Sequence, residues 1–111
     1  MQDMVNSIEK GKRGEREFAS LCRSEGYGNV RRGQQYNGLD GADVTNLPLI
    51  HVEVKRVQRL NIDDAMSQSI RDSKDEIPIV AHRKNNHDWL ITMRAEDWFR
   101  LYRYYEMEVG K

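Results

Sequence analysis

Apolar and small residues recur at three- and four-residue steps near the N-terminus, the spacing of one helical face. This spacing predicts a first helix from about residue 4 to residue 25, with Gly26 as its C-terminal cap. Gly11 and Gly14 would let this helix approach another backbone closely. The inward stripe consists of Met4, Ile8, Gly11, Glu15, Phe18, Leu21 and Cys22. Glu15 therefore needs a partner, because an unpaired buried charge is very costly.

Alternating apolar and polar residues in the middle of the chain predict three strands. A tight turn containing Asn46 and Pro48 would join the second and third as a hairpin. The predicted strands cover about residues 27–32, 42–46 and 49–56. In the third strand, His51, Glu53 and Lys55 face away from the apolar Ile50, Val52 and Val54. The glycine-rich segment 33–41 is predicted to be a mobile loop.

A second helix is predicted from Asn61, as N-cap, to about residue 74. Its inner stripe consists of Ile62, Ala65, Met66, Ser69 and Ile70. Strands at about residues 77–81 and 89–93 follow, and a last helix over about 95–107 presents one aromatic face. That face consists of Trp98, Leu101, Tyr102 and Tyr105. The pattern predicts an α/β fold in the order αβββαββα, with a central mixed five-stranded sheet flanked by helices.

Length and composition favour one soluble domain spanning residues 1–111. Eighteen basic and eighteen acidic residues give no net charge, so any attraction to nucleic acid must come from local clusters. Cys22 is the only cysteine, which excludes an internal disulfide and favours a cytoplasmic location. Neither a signal peptide nor a membrane helix is indicated.

The most informative segments are GADV and, ten residues later, HVEVKR, which contain Asp43, Glu53 and Lys55. Glu53 and Lys55 project from the same strand face, and the hairpin can bring Asp43 beside them. Carboxylates of this kind suit Mg²⁺ at a phosphate, and an adjacent ammonium can orient water. The alternative is that Glu53 and Lys55 form the solvated face of an amphipathic strand. Glu15 on the inward helix face favours a metal site.

GKRGERE, GADV and VEVKR together resemble the archaeal and phage Holliday-junction resolvases of the PD-(D/E)XK nuclease superfamily. The resemblance covers about residues 11–93, with Ala42 where the superfamily name records a proline. It implies a restriction-endonuclease-like fold, Mg²⁺ with Mn²⁺ as substitute, and branched DNA as substrate. It also implies that Glu15, Asp43 and Glu53 hold the metal and that Lys55 completes the catalytic set.

Basic residues on both sides of these acids could neutralise DNA phosphates. The DNA-binding candidates are Arg13, Arg16, Arg31, Arg32, Arg56 and, more weakly, Gln68. Glu17 lies about 200° around the helix from Glu15 and is predicted to be at the surface. His51, His82 and His87 show no metal-ligand spacing and are predicted at the surface or a sheet edge. The 82–88 segment is a DNA-contacting loop or a polar turn.

These observations favour a Mg²⁺-dependent structure-specific DNA endonuclease, namely a Holliday-junction resolvase. Symmetric cutting of a four-way junction would require a homodimer. Trp89, Trp98 and Tyr102 are accordingly predicted to be core or dimer contacts. Two alternatives remain open at this point: another nuclease of the same superfamily, nicking or restriction-type, and a non-catalytic DNA-binding module of the same fold.

Overall fold

Three helices and five strands make up the structure, a computed structural model that describes residues 2–33 and 41–110, with side chains from residue 8 onward. In chain order the elements are α1 (Gln2–Ser24), β1 (Arg31–Arg32), β2 (Val44–Thr45), β3 (Ile50–Arg56), α2 (Ile62–Asp72), β4 (Ile77–Arg83), β5 (Leu90–Met93) and α3 (Ala95–Val109). Residues 34–40 of the predicted loop lie outside the described residues, as does the side chain of Met4.

The five strands form one mixed sheet in the order β1-β2-β3-β4-β5. β3 and β4 run parallel, with Val52 opposite Ile79 and Glu53 opposite Val80, whereas the other neighbouring pairs are antiparallel. A parallel pair needs a crossover connection, and α2 supplies it. The predicted α/β architecture, with a mixed five-stranded sheet and flanking helices, is confirmed at this level.

The two faces of β3 have different environments. Val52 and Val54 join the apolar cluster that includes Phe18, Ala19 and Cys22 of α1. Alternation along the strand therefore places His51 and Glu53 on the opposite face, the side on which α2 crosses. α2 is fixed there through the Ser69 hydroxyl, which donates a 2.9 Å hydrogen bond to the Ile79 carbonyl oxygen. The candidate site thus lies between the sheet and a short amphipathic helix.

The helix ends follow their local chemistry. Gly26 adopts φ +104°, and the Tyr27 N–H bonds back to the Cys22 carbonyl, so the predicted glycine cap of α1 is confirmed. The Asn61 side chain accepts a 3.1 Å hydrogen bond from the Asp64 N–H, which confirms Asn61 as the N-cap of α2. Ile70 was predicted on the inner stripe of α2 but is 39% exposed. Only Ala65 and Ser69 of that stripe are buried.

The strands at the β1 edge are shorter than the sequence predicts. β1 contains only Arg31 and Arg32, because residues 25–29 are mostly turns, and β2 contains only Val44 and Thr45. β4 instead continues two residues beyond the predicted end, to Arg83. The full-length pairing of β4 with β3 supports its extra residues, since the paired register continues to Arg83.

α3 is the main departure from the sequence-based expectation. Every residue from 98 to 110 is exposed, including Trp98 and Tyr102, so of the two predicted roles, core or dimer contact, the core role is excluded for these two rings. The rings nevertheless stack on one another, with Trp98 and Tyr102 centroids 5.0 Å apart and Tyr102 and Tyr105 6.3 Å apart. Trp89, in contrast, packs against Phe18 of the core at 5.1 Å. None of the helices described has the length and apolar character that a bilayer span requires.

Candidate metal centre

Asp43 and Glu53 face each other across the β2–β3 pairing. Val44 is the register partner of Val52, and the Asp43 N–H bonds to the Val52 carbonyl at 2.9 Å. This register sets Asp43 opposite Glu53, and directly opposed residues of antiparallel strands project from the same face. Both side chains are buried, at 8% and 2% exposure. The Val54 N–H also donates a 2.8 Å hydrogen bond to Asp43 Oδ2, which fixes that carboxylate.

Lys55 and Glu15 complete the four predicted catalytic positions. Lys55 Nζ lies 3.9 Å from Glu53 Oε2 and remains about one-third exposed. Glu15 reaches the site from α1, where Arg32 Nε donates a 2.9 Å hydrogen bond to its Oε1. All four residues line one cleft of about 510 Å³. The structure thus brings together the residues that the sequence singled out from three separate elements.

Burial disfavours the ionisation of the carboxyl groups in this cleft, and the charge of Asp43 adds to the effect on Glu53 and Glu15. Burial, and after it the charge of Asp43, raises the pKa of Glu53 to about 8. Burial also raises the pKa of Asp43, although the hydrogen bond from Val54 opposes this. The pKa of Glu15 is raised for the same reasons, burial first and Asp43 second, with Arg32 in opposition. Ionisation of all three carboxyls would place three negative charges beside the Lys55 and Arg32 cations, so a divalent cation would favour their ionised forms.

This excess of acid predicts how stability should depend on pH without added metal. With a folded-state pKa near 8 against an ordinary value of 4.5, the Glu53 carboxyl keeps a proton in the folded chain that the unfolded chain has lost. Its contribution to stability is therefore present below about pH 4.5 and is lost as the pH rises through about 8. Denaturant titrations in chelator should show a free energy of unfolding that falls over this window.

The Glu53→Gln variant should have a flatter pH profile and gain stability relative to the wild type at alkaline pH. Added divalent cation should have the opposite effect on the wild type, stabilising it more as the pH rises, because ligands must lose their protons to bind. Equal slopes for the two proteins between pH 5 and 8 would show that Glu53 ionises normally.

The DNA-binding candidates differ in whether their side chains are exposed or already paired with a carboxylate. Arg13 and Arg16 are exposed on α1 beside the cleft. Arg31 is exposed and donates to the carbonyl oxygens of Gly28 and Val30. Arg32 is bound to Glu15, as described above. Gln68 was the weakest of the candidates, but it lines the cleft together with Glu53.

Arg56 and Glu17 belong to an ion-pair cluster at the carboxyl ends of β3 and β4. Arg56 Nε lies 3.6 Å from Glu17 Oε1, and Arg83 also donates to that oxygen. Glu17 was predicted to lie at the surface; its side chain is 29% exposed, and it is paired there with arginines from two strands. Gly14 explains the approach of α1, because a Cβ there would lie 2.5 Å from the Cβ of Arg56. Gly11 has no such contact, so the predicted close approach of α1 to another backbone is confirmed for Gly14 and not for Gly11.

Two further residues at this site were not predicted from the sequence. His51, predicted to be a surface or edge histidine, is only 3% exposed, because α2 covers its face of the sheet. Asp72, the last residue of α2, was not considered. His51, Glu53 and Asp72 each offer one ligand atom, and these atoms lie within 4.8 Å of one another. The alternation of β3 already put His51 beside Glu53, but nothing local in the sequence indicated Asp72.

Comparisons of the chain with protein-family models, with curated proteins and with solved structures found no significant match.

Proposed function

We propose that the protein is a metal-dependent DNA endonuclease with a restriction-endonuclease-like fold of the PD-(D/E)XK superfamily, and that it resolves four-way junctions. The observation that carries the proposal is the pair of buried carboxylates, Asp43 and Glu53, opposed across two strands with Lys55 beside them. A solvated amphipathic strand would leave these acids in water. A carboxyl with its pKa raised to about 8 in a cleft is typical of a functional site.

The donor set fits a hard divalent cation. Asp43, Glu53 and Glu15 would hold it, and all three offer only oxygen, which favours Mg²⁺ or Mn²⁺. The burial of Asp43 and Glu53 supports this fit, because ionised carboxylates that are removed from water are stabilised by a metal ion. When bound, the cation would supply Lewis-acid stabilisation of the charge that develops on the phosphate and make water more acidic.

The chain's own groups have distinct tasks in phosphodiester hydrolysis. The Val54 N–H orients the Asp43 carboxylate, and Glu53 fixes the Lys55 ammonium through their 3.9 Å contact. Lys55 Nζ, exposed on the cleft side, would then orient the attacking water and offset negative charge on the phosphate. Gln68 could donate to a phosphate oxygen from the α2 side of the same cleft. Burial of Asp43 and Glu53 keeps bulk water away from the ligand oxygens.

Exposed cations near the cleft would bind the DNA backbone. Arg16 is exposed next to Glu15 and lowers the pKa of its carboxyl, so a phosphate that it neutralises would pass close to the site. Arg13 lies two positions from Glu15, on the other side of α1, and would contact the DNA backbone away from the metal. Arg31 can contribute from β1. Arg32 and Arg56 would act mainly by positioning Glu15 and Glu17, with which they are paired.

The direct test compares cleavage of a synthetic four-way junction with cleavage of linear duplex of the same sequence. With Mg²⁺ or Mn²⁺ the junction should be cut by paired incisions, and excess chelator should abolish cutting. Preferential cleavage of linear or nicked duplex would point to another nuclease of the superfamily. Metal-dependent binding to DNA without any cleavage would point to a non-catalytic module, and cleavage that persists in chelator would refute the metal mechanism.

A homodimer follows from the same proposal, and α3 offers the surface for it. An amphipathic helix whose aromatic face lies in solvent is unlike an ordinary surface helix, and the stacked rings of Trp98, Tyr102 and Tyr105 form a continuous ridge. A second copy of the chain can present the same ridge about a twofold axis. Light scattering should then give twice the 13.1 kDa chain mass.

Tyr102→Glu should shift this equilibrium to monomer, because it places a charge in the middle of the ridge. Tyr104→Glu is the matched control, since Tyr104 is 72% exposed and lies outside the stack. A wild type that remains monomeric at all concentrations tested, or equal effects of the two variants, would exclude this interface.

A further inference from the structure

A second group of potential ligands lies directly behind the proposed Mg²⁺ site. His51 and Glu53 are two residues apart on β3 and share its α2 face, while Asp72 ends α2 beside them. One ligand atom from each residue lies within 4.8 Å of the other two. His51 and Glu53 are 3% and 2% exposed, and the Asp72 side chain is 6% exposed. The group is therefore buried, unlike most clusters of acidic residues on a protein surface.

Two atoms in this group lack partners. His51 Nε2 and Glu53 Oε1 are both inaccessible to solvent and accept or donate no hydrogen bond within the described part of the chain. A buried polar atom left without a partner costs about 1–3 kcal/mol, and such atoms usually mark a missing water or ion. The cation nearest Asp72, Arg71, stands 3.8 Å away with a side chain 68% exposed, so it contributes little.

The donor types indicate which ion would fit. An imidazole with two carboxylates suits a transition metal such as Zn²⁺ or Co²⁺, whereas Mg²⁺ prefers oxygen alone. Metal–ligand distances of about 2.0–2.2 Å place the ligand atoms of a tetrahedral ion roughly 3.4 Å apart. The three side chains would therefore close by about 1 Å, an adjustment within reach of small rotations about their side-chain bonds. Three protein ligands would leave one position open.

We propose that His51, Glu53 and Asp72 bind a transition-metal ion at a position separate from the one that Asp43 and Glu15 help to form. Glu53 is shared between the two positions, with its Oε2 near Lys55 and its Oε1 unpartnered. Binding at the His51 position needs neither DNA nor turnover. It is therefore independent of the proposed nuclease activity.

Titration of the full chain with Co²⁺, followed by visible absorption, tests the site directly. We expect one equivalent of Co²⁺ to develop the d–d bands of an ion with a nitrogen ligand. His51→Gln should abolish these bands, and Asp72→Asn should weaken Co²⁺ binding by at least the roughly 10- to 100-fold that loss of a supporting outer-sphere partner costs. Zn²⁺ should displace the Co²⁺ and remove the bands.

Two controls locate the ion. His87→Gln removes an exposed histidine and should leave the titration unchanged. Asp75→Asn removes an exposed carboxylate three residues after Asp72 and should also retain the bands. If His51→Gln fails to fold, Asp72→Asn, altered at the less constrained end of α2, decides the question.

Absence of the bands in the wild type, or wild-type binding in both the His51 and the Asp72 variants, would overturn the proposal. A chain that gives the Co²⁺ bands but cleaves no DNA with Mg²⁺ would refute the nuclease proposal and support this one. Cleavage without the Co²⁺ bands would do the reverse.

Discussion

Glu53→Gln and Asp43→Asn should each lower the rate of metal-dependent cleavage by on the order of 10³-fold or more, while DNA binding persists. Each change replaces a charged ligand by a neutral amide in the cleft that the two acids share. The cation contributes several kcal/mol to the transition state, and about 1.4 kcal/mol corresponds to a factor of ten in rate. Binding should survive or tighten, because each variant removes a negative charge that faces the phosphate.

Single-turnover cleavage of a labelled junction, beside a binding assay of the same variant in Ca²⁺, separates the two effects. Glu25→Gln is the matched control, an exposed glutamate beyond the end of α1, and it should cleave as the wild type does. Glu17 is not suitable as a control, because its pairs with Arg56 and Arg83 make it part of the packing of α1. Near-normal cleavage by a folded Glu53→Gln protein would exclude this carboxylate as a ligand.

Lys55→Met should also reduce cleavage by on the order of 10²-fold or more, the loss that removal of one transition-state-stabilising group typically causes. Unlike the carboxylate variants, it should retain metal affinity, since an ammonium cannot be a ligand. Its affinity for Mn²⁺ should rise, because the variant removes a positive charge that lies 3.9 Å from Glu53 Oε2. Mn²⁺ titration followed by electron paramagnetic resonance measures this without DNA.

Lys84→Met is the control for this substitution, because Lys84 is exposed in the β4–β5 connection and lies outside the cleft. It should cleave and bind metal normally. If Lys55→Met loses both Mn²⁺ binding and cleavage, Lys55 supports the local structure and has no role specific to the transition state.

Local patterns in the sequence were sufficient to predict which residues form the centre of the candidate site. Alternation along β3 put Glu53 and Lys55 on one face, and the hairpin turn brought Asp43 opposite, because both features depend only on neighbouring residues. The stripe of α1 likewise placed Glu15 at the cleft. The three-helix, five-strand architecture followed from the same periodicities.

The features that the sequence did not predict depend on contacts between distant elements. His51 is buried only because α2 crosses over it, and Asp72 joins it only because α2 ends there. Glu17 meets Arg83 across 66 positions of sequence. The sequence correctly predicted that α3 has an aromatic face. The pattern alone could not predict whether that face packs on the core of the same chain or on another chain.

The close packing of Gly14 in α1 against Arg56 also affects the position of a proposed metal ligand. Glu15 is the next residue, so the depth at which α1 rests on β3 also sets how far the Glu15 carboxylate extends toward Asp43. A methyl group at position 14 would lie 2.5 Å from the Arg56 Cβ and would push α1 away from β3. Functional groups must be held within about 0.5 Å of their productive geometry, so a displacement of this size would reach the reaction as well as the packing of Phe18, Ala19 and Cys22 against β3.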